Sequence, residues 1–196
     1  MIELLDGMEI NCCEGDISCF PNRQNILKKI LETYPPYNIL EIGFNLGYSM
    51  KLILDTLTND SLIYPKNIII FDICEGTNDG RGGGHNYVKK NFNILKNAYP
   101  DINIVLVEGD SVETVKPYLK KLNIKFDFIE IDGFHEREHP KKDIENTIDF
   151  LNIGGIIYID DYNITYDAIT TAVDSRDWSN FDTYYNEDVF YACRIK

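Results

Sequence analysis

Apolar positions along the chain follow two rhythms. From residue 38 onward, short and nearly continuous apolar runs alternate with longer stretches of helical periodicity. The runs are "NILEIG" (38–43), "NIIIFDI" (67–73), "NIVLVEG" (103–109), "FDFIEID" (126–132) and "GGIIYID" (154–160). Their Ile and Val content suits strands buried on both faces, as in a parallel sheet. The segments 47–58, 85–99, 111–122 and 137–151 are long enough to be crossover helices. This alternation predicts an α/β fold: an open, mostly parallel sheet with helices on both faces. In the tail, "TYDAITTAV" (165–173) predicts a short helix. "FDTYY" and "VFYACRI" flank "NED", which predicts a C-terminal antiparallel hairpin and brings the sheet to seven strands. Upstream, "RQNILKKILETY" (23–34) reads as an amphipathic helix ended by Pro35 and Pro36. The expected organisation is an N-terminal helical extension over 1–37 and a ligand-binding domain over 38–196, forming one compact domain overall.

Composition narrows the class. At 196 residues and 44% hydrophobic content the chain can bury a full core without a disulfide or metal staple. The formal net charge of −13 repels phosphate backbones, so nucleic acid is not expected as a partner. Lys89, Lys90 and Lys96, and likewise Lys120, Lys121 and Lys125, read as solvated helix faces. The start "MIELLDGMEI" lacks a basic segment followed by an apolar run, and no stretch approaches a membrane span. A cytoplasmic location and no membrane partner are therefore expected. Cys12, Cys13, Cys19, Cys74 and Cys193 are odd in number and contain no C-x-x-C pair, which disfavours zinc and disulfides. The helix segment "ILKKIL" is a candidate homodimer surface, although packing on its own domain explains it as well.

In open α/β sheets ligands sit beyond the carboxyl ends of the strands, so chemistry is sought just after each run. The first run continues as "ILEIGFNLGYS": Glu41 ends the strand, and Gly43 and Gly47 turn the chain into a helix. Glycines allow close backbone approach, and a helix N-terminus offers free N–H groups. The spacing is G-x-x-x-G, so the dinucleotide fingerprint is absent and a dehydrogenase is disfavoured. Asp72 closes the second run, where an acid can bond both ribose hydroxyls. Asp110 and Ser111 follow the third and suit an adenine edge. Asp132 ends the fourth, and Asp160 and Asp161 end the fifth. Three carboxylates converging from neighbouring strand ends suit Mg²⁺ or another divalent cation.

With those residues in view, "LEIGFNLGYS" resembles motif I of class I, Rossmann-like S-adenosylmethionine-dependent methyltransferases, particularly the catechol and caffeoyl-CoA O-methyltransferase type. "FDFIEIDGFHE" followed by "LNIGGIIYIDDYN" resembles the corresponding stretches of small sugar-type O-methyltransferases. The resemblance covers about residues 38–175. It implies that Gly43 and Gly47 line the methionine part of the cofactor, with Ser49 near its carboxylate and Glu41 facing its amino group. Asp72 would take the ribose, and Asp110 with Ser111 the adenine. The metal set would be Asp132, Asp160 and Asp161, the last standing where catechol-type enzymes have Asn. His135 lies at the offset of their lysine base, and with Asp132 forms the expected catalytic pair.

Other residues are weaker candidates. Glu136 and His139 lie in the same segment, with His139 expected at the surface, and His85 ends the glycine-rich stretch at 75–85. Acceptor contacts are expected from 1–37 and from loops near 75–86, 133–139 and 162–167. Arg81 suits a phosphate or carboxylate, and Tyr48, Phe134, Tyr162 and Tyr166 suit a ring. The expected activity is metal-assisted transfer of a methyl group to a hydroxyl of a sugar, nucleotide-sugar or other polyhydroxy small molecule. The alternatives are metal-independent N-methylation of a small amine and a non-catalytic cofactor-binding module.

Overall fold

In the computed structural model of the chain the apolar runs become strands of one sheet. The structure describes residues 5–8, 17, 20–59, 65–74, 84–162, 167–186 and 189–196. In chain order the elements are α1 (Pro21–Thr33), β1 (Asn38–Ile42), α2 (Tyr48–Asn59), β2 (Asn67–Asp72), α3 (Gly84–Ala98), β3 (Asn103–Glu108) and α4 (Ser111–Leu122). They continue with β4 (Phe126–Ile131), α5 (His139–Thr147), β5 (Leu151–Ile159), α6 (Asp167–Asp174), β6 (Phe181–Asn186) and β7 (Val189–Arg194). The strand order is β3-β2-β1-β4-β5-β7-β6. The first five are parallel, and β7 runs antiparallel to both β5 and β6. This is the mostly parallel seven-stranded sheet with a terminal hairpin that the apolar pattern predicts.

Alternation along each strand divides the core between two faces. Ile39, Ile68, Phe128 and Tyr158 pack with Leu27 and Leu31 of α1, Ile53 of α2 and Leu95 of α3. Leu40, Ile69, Ile129 and Ile157 pack on the other side with Val115 of α4, Ile144 of α5 and Ile169 of α6. The apolar residues of "ILKKIL" thus include three that are buried in the chain's own core: Leu27, Ile30 and Leu31. Among the described residues no helix is long and apolar enough to cross a membrane.

One boundary differs from the periodicity. The helix expected over 137–151 starts at His139 and ends at Thr147, followed by a 3-10 turn at Ile148–Phe150. Arg137 has a φ of +58°, a left-handed conformation that no helix interior accepts, so the helix begins after it. β5 then starts at Leu151, ahead of Gly154, and its register with β4 shifts between Phe126 and Phe128.

Two fully buried carboxyls lie side by side within the sheet. Glu41 of β1 and Glu130 of β4 are register partners, and Glu130 in turn pairs with Tyr158 of β5. All three face the α1–α3 side, and Glu41 and Glu130 are 0% and 1% exposed. Burial, opposed by the Ser49 hydroxyl and reinforced by Asp132 and Asp72, pushes Glu41 up to about 8. Burial, then the neighbouring Glu41, Asp132 and Asp160, raises Glu130 as well. Two adjacent buried carboxyls are far less costly as neutral acids than as anions.

The folded chain therefore keeps protons that the unfolded chain releases above the ordinary value of 4.5. Stability from these groups is complete below that value and is lost as pH rises towards the folded value. Urea unfolding of the ligand-free chain should give a midpoint that falls between about pH 5.5 and 8, each retained proton contributing roughly 1.4 kcal/mol per pH unit. Glu41→Gln should flatten that slope by about one proton's share. A midpoint that rises over the same range would contradict the neutral pair.

Candidate active site

The strand order reverses between β1 and β4, and a crevice opens where their ends diverge. The turn after β1 forms one wall. Gly43 has a φ of +93°, and a Cβ there would overlap the Asp132 carbonyl oxygen. Gly47 has a φ of +78°, and a Cβ there would strike the Phe44 ring. Both positions demand glycine for local reasons, which accounts for the G-x-x-x-G spacing before any ligand is considered.

Asp72, at the end of β2, organises this turn. Its Oδ2 accepts from the backbone N–H groups of Phe44 and Asn45, each at 2.9 Å, and its Oδ1 accepts from that of Cys74 at 2.6 Å. Ser49, at the second position of α2, donates to Oε1 of Glu41 at 2.7 Å. Asp110 caps α4 by accepting from the Val112 N–H at 2.9 Å, and Ser111 begins that helix. His139 reaches within 3.6 Å of Asp110, and Phe134, which is exposed, meets its ring edge-on.

The crevice deepens into a cavity bounded by Gly43, Tyr48, Ser49, Glu130, Asp132 and Asp160. Ladder bonds carried one residue past the strands align two of these acids: Asp132 N–H donates to the Ile42 carbonyl, and Asp160 N–H to the Ile131 carbonyl. Oε2 of Glu130 and Oδ1 of Asp160 are buried with no hydrogen-bond partner among the described residues. Unpartnered buried oxygens on the wall of a cavity are suited to a ligand that donates or is cationic.

At the cavity mouth the acids are bridged by two basic side chains. His135 places Nε2 at 3.0 Å from Oδ1 of Asp132 and Nδ1 at 3.1 Å from Oδ2 of Asp161. Nη1 of Arg23, from α1, lies 2.9 Å from Oδ2 of Asp160 and 2.8 Å from Oδ1 of Asp161. Burial alone would lower the His135 pKa, but the hydrogen bonds and charges of Asp132 and Asp161 outweigh it and hold the ring up to about 10. Without a cation in the cluster His135 is held as an imidazolium and both ring nitrogens donate; a cation ligated by His135 would take the place of one of those protons. Burial and the Asp132 charge push Asp160 up to about 8 against the pull of Arg23. Burial also raises Asp132 against His135. For Asp161 burial is outweighed by His135 and Arg23, and its pKa falls.

The residues expected from the sequence thus divide into groups. Asp132, His135, Asp160 and Asp161 meet in one network, Gly43 and Ser49 line the adjoining cavity, and Glu41 and Gly47 lie behind that wall, Glu41 bonded to Ser49 and Gly47 against the Phe44 ring. Asp72 and Asp110 stand at neighbouring strand ends, with oxygens engaged by the backbone. Tyr48 is buried at the cavity, and the Tyr162 hydroxyl donates to Asp174 at 2.9 Å while its ring packs on Phe190. Arg81, Tyr166, Cys12, Cys13 and Cys19 lie outside the described residues, as does the side chain of His85. Periodicity alone did not single out Arg23 and Glu130. Glu130 interrupts an apolar run, which is the one signal that marks it.

Asp132, His135 and Asp161 each offer a ligand atom, and these atoms lie within 4.8 Å of one another. Two carboxylate oxygens and an imidazole nitrogen are a donor set that fits a divalent cation in type and spacing.

Comparison with known proteins bears on the family and the fold. The model of the methyltransferase domain matches residues 40–162, well over half of the chain. No curated protein matches it by sequence. Among solved structures, the O-methyltransferase NovP superposes with a TM-score of 0.68 at 16% identity, covering 89% of this chain and 80% of that one. The calicheamicin methyltransferase CalS11 gives 0.68 at 20%, covering 87% and 77%. The O-methyltransferase from Bacillus cereus, solved in complex with SAH, gives 0.63 at 14%, covering 97% and 84%. The chain belongs to the methyltransferase-domain family and is a class I S-adenosylmethionine-dependent methyltransferase.

Proposed function

We propose that this enzyme transfers a methyl group from S-adenosylmethionine to a hydroxyl of a small molecule, such as a sugar, nucleotide-sugar or other polyhydroxy compound, with a divalent cation assisting. The observation that carries this reading is the network of Asp132, His135, Asp160 and Asp161 at the mouth of the cavity whose wall is Gly43 and Ser49. It sets acidic chemistry for an acceptor beside the expected place of the donor's methionine end. One solved neighbour, CalS11, is described as a TDP-rhamnose 3'-O-methyltransferase, which is consistent with a sugar hydroxyl. The net charge of −13 favours a small acceptor over nucleic acid.

Transfer requires the acceptor oxygen in line with the sulfur–carbon bond: the oxygen–methyl bond forms as that bond breaks, and the demethylated cofactor leaves. A cation bound by Asp132, His135 and Asp161 would supply Lewis-acid polarisation, lowering the acceptor hydroxyl's pKa. Asp132 is the residue proposed to receive the hydroxyl proton. Burial raises its pKa, which makes it a better proton acceptor than an ordinary carboxylate. As a ligand of the cation His135 would be neutral, with its other ring N–H donating to a carboxylate, so it would have no free lone pair to take the hydroxyl proton. Gly43 lets the turn after β1 pass against the Asp132 carbonyl at the cavity wall, and Asp72 holds that turn in place.

Calorimetry should show binding of S-adenosylmethionine and its demethylated product, and tighter binding of NAD would overturn the donor assignment. Asp72→Ala should weaken donor binding by about 1–3 kcal/mol, the range for hydrogen bonds to a charged group. The sheet should survive, since the lost bonds lie in the turn at 43–45, and an unchanged donor affinity would remove Asp72 from the site. Asp161→Asn should lower turnover on a sugar acceptor while leaving donor affinity nearly intact. Turnover that persists undiminished in excess EDTA would refute assistance by a cation. Methylation found on nitrogen in the product would refute the hydroxyl acceptor.

A further inference from the structure

Arg23 is the residue whose position the proposed activity does not explain. It belongs to α1, more than a hundred residues from the acids it meets, and is 3% exposed. Its Nη1 bridges Asp160 and Asp161, and its guanidinium stacks 4.3 Å over the Phe20 ring. A guanidinium stays charged at any pH of interest. It therefore brings a permanent positive charge to one edge of the donor set of Asp132, His135 and Asp161.

Asp161 is the shared member. Its Oδ1 accepts from Arg23, and its Oδ2 faces His135. A divalent cation held by Asp161 would lie a few ångströms from a buried guanidinium, where like charges repel far more strongly than in water. We propose that Arg23 and a divalent cation are alternative occupants of this acidic cluster, so that the first turn of α1 gates cation entry. The inference rests on the cation-assisted reading above and adds to it a residue that sets the cation's affinity.

The local structure makes that turn the movable part. Leu27, Ile30 and Leu31 fix the body of α1 in the core. Its start is different: Phe20 at the cap position makes no side-chain capping bond, and Pro21 opens the helix. An uncapped first turn is less costly to loosen than a capped one. Gln24 donates to the Ile17 carbonyl at 3.0 Å, and Ile17 borders the cavity. Displacing the first turn would thus also move part of the cavity wall, coupling the cation to the shape of the acceptor space.

The test uses Mn²⁺ alone, titrated into the full chain by calorimetry. Arg23→Gln, which keeps length and removes charge, should bind Mn²⁺ about tenfold or more tightly than the wild type, because one of two competing cations is gone. Arg23→Lys should stay close to the wild type. A second measurement needs no variant: Mn²⁺ should accelerate hydrogen exchange at the amides of residues 22–25 in the wild-type chain. Equal Mn²⁺ affinity in wild type and Arg23→Gln, or unchanged exchange with Mn²⁺ bound, would overturn the gate and leave the cation reading standing. No Mn²⁺ binding to either protein would overturn the cation reading and the gate together.

Discussion

Five acidic side chains crowd one end of three neighbouring strands, and the fold has to neutralise them. Glu41, Glu130, Asp132, Asp160 and Asp161 all arise from β1, β4, β5 or the residues just beyond. Strand periodicity puts Glu41, Glu130 and Asp160 on the α1–α3 side of the sheet, where water is largely excluded. Anions left uncompensated there would cost more than a domain's net stability. Three devices meet the demand. Protons reside on the Glu41–Glu130 pair, an imidazolium joins Asp132 to Asp161, and a guanidinium joins Asp160 to Asp161. The last device comes from α1, so the N-terminal helix belongs electrostatically to the site.

The same strand ends are held close by the backbone. Gly43 touches the Asp132 carbonyl because β1 and β4 are adjacent and parallel, and their turns leave the sheet on opposite courses. Asp72 ties the β1 turn to β2 through two N–H groups. The turn is therefore fixed between the strands on either side of β1, and the cavity wall is set before a ligand arrives. Such preorganisation reduces what donor binding must spend on ordering the loop.

Much of this was legible in the sequence, for identifiable reasons. Buried parallel strands write themselves as unbroken Ile and Val runs, so the positions of β1 to β4 and the acids at their ends could be read directly. Asp110, read from the sequence as suiting an adenine edge, caps α4 with its carboxylate in the structure. Arg23 was not legible: on an amphipathic helix an arginine reads as a solvated position, and only tertiary packing turns it inward. The imidazolium state of His135 was hidden for a related reason, since it depends on Asp161 approaching from another strand. The start of α5 was obscured by Arg137, whose left-handed backbone leaves no mark on hydrophobic periodicity.

The neutralising groups also bear on the chemistry. A sulfonium donor carries a charge that disperses as its methyl group is transferred. Uncompensated carboxylates around the sulfur would stabilise the charged ground state more than the charge-dispersed transition state, and binding of that kind slows the chemical step. Protons on Glu41 and Glu130 remove two such charges from the strand ends, and the Arg23 guanidinium offsets charge on Asp160 and Asp161. An acidic cluster compensated by protons, an imidazolium and a guanidinium suits methyl transfer from a sulfonium donor better than an acidic pocket without internal cations would.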